Sequence, residues 1–135
     1  MGLDVGTKRI GVAMSDELLL TAQGRDTINR RDLRIDLAEI DRVVKDNAVS
    51  EIVVGLPLNM DGTYSAKTKE VVEFMDSLSK AVTVPIKTWD ERLSTVQAER
   101  TLLEADLSRA KRRKVADKLA AQIILQSYLD SIRKG

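Results

Sequence analysis

Gly2-Leu3-Asp4-Val5-Gly6-Thr7-Lys8-Arg9-Ile10-Gly11-Val12-Ala13-Met14-Ser15-Asp16 is the stretch whose reading decides the fold. Leu3 and Asp4 end a short apolar strand, Gly6 to Lys8 make a turn, and Ile10 to Met14 read as a second strand, which together is a β-hairpin signature. An acid at a strand end followed at once by a glycine-containing turn leaves backbone amides to meet a phosphate, with a carboxylate beside them to hold a cation. The same residues also fit a plainer reading, a hairpin turn with exposed Lys8 and Arg9, because short turns of this kind are common.

Outward from this hairpin, a third strand is predicted from Leu20 to Ile28, weakened by Gly24. From Asp32 to Asn47 the spacing puts Leu33, Leu37, Ile40 and Val44 on one helical face and Asp36, Glu39 and Arg42 elsewhere. Ile52-Val53-Val54 is a continuous β-branched run, as in strands buried on both faces, and Gly55 and Pro57 stop it. Residues 57–65 are polar and turn-rich around Asp61-Gly62 and read as a mobile loop. A helix from about Ala66 to Lys80 turns Val71, Met75 and Leu78 inward, and Val84 to Trp89 is the next strand. Ser94 with Gln97 three residues on is a capping-box signal for a helix through Glu104, and Val115, Leu119, Ile123 and Leu129 mark the last helix.

A β-meander followed by alternating helices and strands predicts a mixed sheet covered by helices on both faces. With 135 residues, 43% of them hydrophobic, the chain fits one domain spanning residues 1–135. The sheet is predicted to have five strands, the one ending at Asp4 in the middle and parallel to the neighbouring strand Ile52–Val54. No apolar stretch approaches the ~20 residues needed to cross a bilayer, so the expected location is the cytoplasm with no membrane partner.

Two absences narrow the chemistry. Cysteine is missing, which removes disulfides and thiolate sites. Histidine is missing as well, which excludes Ser-His-Asp triads, imidazole general acid/base catalysis and histidine-ligated zinc. Carboxylates favour hard cations, so a catalytic metal would be Mg²⁺ or Mn²⁺. The 22 Lys and Arg against 21 Asp and Glu give a net charge of +1, so binding to a polyanion must come from local clustering.

Trp89-Asp90-Glu91-Arg92-Leu93-Ser94 puts adjacent acids between a predicted strand and a helix start, at the carboxyl end of the sheet, where open sheets bind ligands. Acids before a helix also suit its dipole, which alone accounts for them. Adjacent residues leaving a strand point apart, so one of the two is expected to face a site. Arg109-Ala110-Lys111-Arg112-Arg113-Lys114 carries five cations in six positions, either a solvated face or an anion contact. Asp117 follows on the same helix and shares a face with Lys114, Ala121 and Ile124. A carboxylate near apolar positions needs a partner, and a metal ion would serve. Trp89 and Tyr128 belong to a set of only four aromatics and are expected in the core rather than stacked on bases.

Residues 2–16, GLDVGTKRIGVAMSD, together with 53–63, VVGLPLNMDGT, 88–95, TWDERLST, and 108–130, SRAKRRKVADKLAAQIILQSYLD, resemble in order and spacing the YqgF-type family. Its members are described as candidate Holliday junction resolvases and as pre-16S ribosomal RNA processing nucleases. The resemblance covers essentially the whole chain and implies an RNase H-like fold with metal-dependent nuclease activity. Matched residue by residue, it implies Asp4, Glu91 and Asp117 as the catalytic, metal-holding acids. Lys8, Arg9, Arg92, Arg109, Lys111, Arg112, Arg113 and Lys114 are then the expected contacts to nucleic acid, either precursor rRNA or branched DNA, by a monomer or homodimer. Gly55-Leu56-Pro57 stands where related resolvases and RNases H carry a further acid. Two rivals stay open: a phosphate-binding loop like that of actin-like kinases, suggested by Asp-x-Gly-Thr, and a non-catalytic nucleic-acid-binding module.

Overall fold

The computed structural model describes residues 1–96 and 109–134, except the side chains of 109–114 and 134. Its elements are β1 (Gly2–Val5), β2 (Arg9–Ser15), β3 (Ala22–Asn29), α1 (Leu33–Asp46), β4 (Ile52–Leu56), α2 (Ala66–Ala81), β5 (Ile86–Asp90), a 3-10 turn (Glu91–Leu93) and α3 (Arg109–Lys134). The strands form one five-stranded sheet in the order β3-β2-β1-β4-β5. β1 is central, antiparallel to β2 and parallel to β4, as the hairpin and the two helix-strand units predict. β5 extends the parallel half, with Gly55 opposite Trp89 and Leu56 opposite Asp90.

Period-two alternation divides the strands between two cores. Leu3, Val5, Ile10, Val12, Ile52 and Val54 face α1 and α2, where Ile40, Val44, Val71, Phe74 and Leu78 close on them. Ala13, Ala22 and Val53 point the other way, against Ala121, Ile124, Leu125 and Leu129 of α3. All of β4 is buried, the outcome its unbroken apolar run predicts. Helices thus cover both faces, and among the described residues no helix is long and apolar enough to cross a membrane.

The face under α3 is floored with small residues, and this sets the depth at which the helix sits. A Cβ added to Gly11 would lie 2.2 Å from the Asp117 carbonyl oxygen, and one added to Gly55 would lie 2.4 Å from Ile124 Cδ1. Only glycine lets a helix backbone come this near a sheet. α3 accordingly buries Ala116, Ala120, Ala121, Ile124, Leu125 and Leu129, while Val115 is exposed and Leu119 and Ile123 are half-buried. The last helix is present where these four residues mark it, and of the four Leu129 alone is buried. The inward face of α3 combines three alanines with Ile124, Leu125 and Leu129, and the helix backbone comes closest to the sheet over Gly11, beside Ala121.

Other differences have local causes. Asp36, expected off the apolar face of α1, is almost fully buried, and Leu33 is exposed instead. The Asp36 carboxylate accepts hydrogen bonds from the Arg31 backbone N–H at 2.9 Å and from Arg30 Nε at 3.3 Å, which compensate its desolvation. β3 and β5 begin two residues later than predicted. Phe74 joins Val71 and Leu78 in the core, and Met75 is only partly buried.

A capping box at Ser65 and Thr68 opens α2. The Ser94 hydroxyl donates to the Glu91 carbonyl at 2.9 Å and accepts from the Val96 N–H at 3.5 Å, while Gln97, and with it the predicted capping box and helix through Glu104, lies outside the described residues. Residues 57–65 form a compact, hydrogen-bonded turn. Leu58 bridges Tyr64, the Asn59 N–H donates to the Thr63 carbonyl, and Gly62 takes φ +87°, a left-handed conformation that glycine adopts without a Cβ clash.

Candidate active site

Asp4 stands at the carboxyl end of the central strand, with Gly11 directly opposite on β2. On its other side, Leu3 opposes Val54, so the next residue of β4, Gly55, is its neighbour. Leu3 and Val5 face α1 and α2, so the Asp4 side chain projects toward α3. It is only 8% exposed. A buried carboxylate thus lies in a row with a glycine on each side.

These two glycines admit the other acids. Glu91 opens the 3-10 turn immediately after β5 and is 5% exposed. Its Cγ lies 3.3 Å from where a Gly55 Cβ would be. Gly55 therefore makes room for the acid that arrives from the next strand. On the opposite flank, the Asp117 backbone rests over Gly11. Asp4 is thereby bracketed by the segments that carry Glu91 and Asp117.

The two acids of the Asp90-Glu91 pair have separate environments, as the divergence of adjacent strand residues predicts. Asp90 caps the 3-10 turn by accepting from the Arg92 N–H at 2.9 Å and forms an ion pair with the Arg92 guanidinium at 2.7 Å. The hydrogen bond from the Arg92 side chain holds the Asp90 carboxyl below the usual carboxylate range against a smaller desolvation effect. Arg92 also donates to the Met60 carbonyl at 3.1 Å and packs beside Gly62, so it ties the 57–65 turn to the end of β5.

Asp117 has a different partner. Arg9 Nε donates to Asp117 Oδ2 at 2.6 Å, and both side chains are 20% exposed. Arg9, expected to contact nucleic acid, here joins the first hairpin to the last helix. Among the described residues no group of three carboxylates is gathered closely enough to hold a metal ion. As donors, Asp4 and Glu91 fit Mg²⁺ or Mn²⁺: both are hard oxygen ligands, buried beside Gly55 at the carboxyl end of the sheet. Asp117, whose Oδ2 is held by Arg9, is the third hard oxygen donor at this end of the sheet.

The remaining cations are distributed around this end of the sheet. Lys8 is exposed on the β1–β2 turn and lines a cleft of about 620 Å³ with Thr7, Arg30, Arg31 and Glu70. Arg30, which sequence reasoning passed over, donates to the Gly6 carbonyl at 3.0 Å and lies 5.0 Å over the Phe74 ring. It anchors the turn that follows Asp4 to α1 through Asp36. The Arg30-Arg31 pair just before the cap residue Asp32 was the available signal, but nothing local announces a contact 24 residues away. The side chains of Arg109, Lys111, Arg112, Arg113 and Lys114 lie outside the described residues. Trp89 and Tyr128 are packed together edge to face at 5.8 Å against the α3 core, with Trp89 Nε1 donating to Ser127, so they are framework residues as expected.

Known proteins agree with this architecture. RuvC of Thermus thermophilus, solved in complex with a Holliday junction substrate, superposes with a TM-score of 0.62 over 98% of this chain and 94% of its own. At 15% sequence identity this likeness concerns the fold, which is RNase H-like. Relatives named as candidate pre-16S rRNA nucleases are much nearer in sequence. The one from Myxococcus xanthus is 54% identical over 98% of this chain and 88% of its own. The one from Symbiobacterium thermophilum is 55% identical over 96% of this chain and 90% of its own, and the one from Clostridium novyi is 52% identical over 98% of each. The family described as RuvX, Holliday junction resolvase, matches residues 1–131, and the chain belongs to that family.

Proposed function

We propose that this protein is a metal-dependent nuclease that hydrolyses phosphodiester bonds in structured nucleic acid, with the 5′ end of precursor 16S rRNA as its substrate. The observation that carries the reading is Asp4, buried at the end of the central strand between two glycines that admit Glu91 and the Asp117 segment. Relatives more than 50% identical over nearly the whole chain bear the rRNA nuclease name, which favours RNA as substrate. The location is the cytoplasm, as a monomer or homodimer.

Asp4, Glu91 and Asp117 would hold Mg²⁺ or Mn²⁺. When bound, such a cation supplies charge neutralisation for the phosphate and a nucleophilic water at neutral pH. The protein's share is positioning. Burial of Asp4 and Glu91 keeps their carboxylates from wandering, Arg30 fixes the turn after Asp4, and Arg92 fixes the 57–65 turn beside the site. Lys8, Arg9, Arg92, Arg109 and Lys111 to Lys114 are the proposed phosphate contacts.

A four-way DNA junction is the second reading, favoured by the family's description as a resolvase. The deciding experiment incubates the protein with end-labelled precursor 16S rRNA or a labelled junction, with Mg²⁺ or with chelator. Metal-dependent cleavage of the RNA at its 5′ side is expected. Cleavage of the junction alone would transfer the assignment to DNA, and cleavage of neither would leave a binding module.

The basic run is tested separately. Replacing Lys111, Arg112, Arg113 and Lys114 by alanine is expected to weaken nucleic-acid binding. The salt slope is expected to fall by about 0.9 for each phosphate no longer neutralised on B-form DNA, or about 0.7 on single strands. Thermal stability is expected to change little, a phosphate contact being made only in the complex. Filter binding across a salt series measures affinity and slope together, and unchanged affinity would return the run to a solvated face.

A further inference from the structure

Arg9 and Gly11 are two residues apart on β2, so they share the sheet face on which Asp4 lies, and Asp117 is seated over Gly11. The Arg9 guanidinium therefore meets Asp117 at the margin of the acidic row, in a bond of 2.6 Å that is largely shielded from solvent. Bringing Asp117 to Asp4 and Glu91 adds a third carboxylate beside two buried ones, a like charge that must be offset. An arginine cannot lose its charge, so it can neutralise the acid at any physiological pH.

We infer that Arg9 is a placeholder cation, which neutralises Asp117 in the metal-free protein and must release it before Asp4, Glu91 and Asp117 can take a divalent ion together. The inference rests on the proposed metal site and adds a competition to it. It accounts for two observations at once: the engaged carboxylate of Asp117, and the lack among the described residues of a gathered group of three carboxylates. It also gives Arg9 a second position. Once released, the guanidinium remains beside the acidic row, where an approaching phosphate would receive it. Arg9 is thus a positioning residue for the metal and not itself a ligand.

The test is Mn²⁺ binding to the nucleic-acid-free protein, followed by electron paramagnetic resonance of the unbound ion. Arg9→Met is expected to tighten Mn²⁺ binding by about tenfold, equivalent to roughly 1.4 kcal/mol. Its metal-free form is expected to melt below wild type and to regain the difference when Mn²⁺ is added. Arg9→Lys keeps the charge and is expected to bind Mn²⁺ like wild type. A measurement on the unaltered protein removes any dependence on how the variants fold. In a Mg²⁺ titration, the Arg9 Nε–H resonance is expected to move with the same midpoint as metal binding. Equal Mn²⁺ affinity of wild type and Arg9→Met, or an Arg9 resonance that stays fixed as metal binds, would overturn the placeholder while leaving the metal site standing. Absence of Mn²⁺ binding in every form would overturn both.

Discussion

Asp4→Asn is expected to reduce cleavage by at least about a hundredfold, equivalent to roughly 2.7 kcal/mol of transition-state stabilisation, while nucleic-acid binding is largely retained. The substitution keeps the size and hydrogen-bonding capacity of the side chain and removes one charge from a position only 8% exposed. Removing one ligand charge is expected to weaken metal binding. Single-turnover cleavage with saturating protein separates this from a binding defect. Asp90→Asn is the control: its carboxylate is engaged by Arg92 and caps the 3-10 turn, so a milder loss is expected. A folded Asp4→Asn protein that cleaves like wild type would remove Asp4 from the chemistry.

The second large effect lies in a residue with no side chain. Gly11→Ala is expected to lower the unfolding free energy by about 3 kcal/mol, at the upper end of the usual cost of overpacking. The added Cβ would come within 2.2 Å of the Asp117 carbonyl oxygen, a backbone atom that cannot move without displacing α3. Cleavage is expected to fall with stability, since the same displacement moves Asp117. Gly24→Ala provides the comparison: there the atoms nearest the new Cβ belong to the Lys118 side chain, at 2.5 Å from its Cγ. A side chain can change rotamer where a helix carbonyl cannot move, so the expected loss is smaller than at Gly11, offset in part by the lower unfolded-state entropy of alanine. Urea denaturation of the two variants measures the contrast, and equal midpoints would mean that α3 is not held down at Gly11.

Much of this architecture was legible because it depends on neighbours in sequence. The hairpin around Gly6–Lys8, the doubly buried run Ile52–Val54 and the division of Asp90 from Glu91 follow from local periodicity and turn chemistry. The central place of β1 followed from the order of elements, since two helix-strand units must build outward from the first hairpin. What failed was the identity of inward faces. Asp36 is buried because Arg30 and the Arg31 amide lie beside it, and Leu33 is exposed because no described element of the fold covers it. A helix read in isolation shows only which residues dislike water. It does not show which ones find a partner.

The acidic site divides in the same manner. By themselves, the residues fixed a chemistry without histidine or cysteine, and the family their motifs resemble along the length of the chain implied three candidate carboxylates at Asp4, Glu91 and Asp117. Only the tertiary structure decided that Gly11 and Gly55 flank Asp4, that Glu91 crosses over Gly55, and that Arg9 engages Asp117 across 108 residues of sequence. The physical reason is that motif chemistry is carried by side-chain type and short spacing, both written along the chain. Close approach and charge compensation depend on which backbones pack without a Cβ between them, and that is settled only when the helix comes down on the sheet.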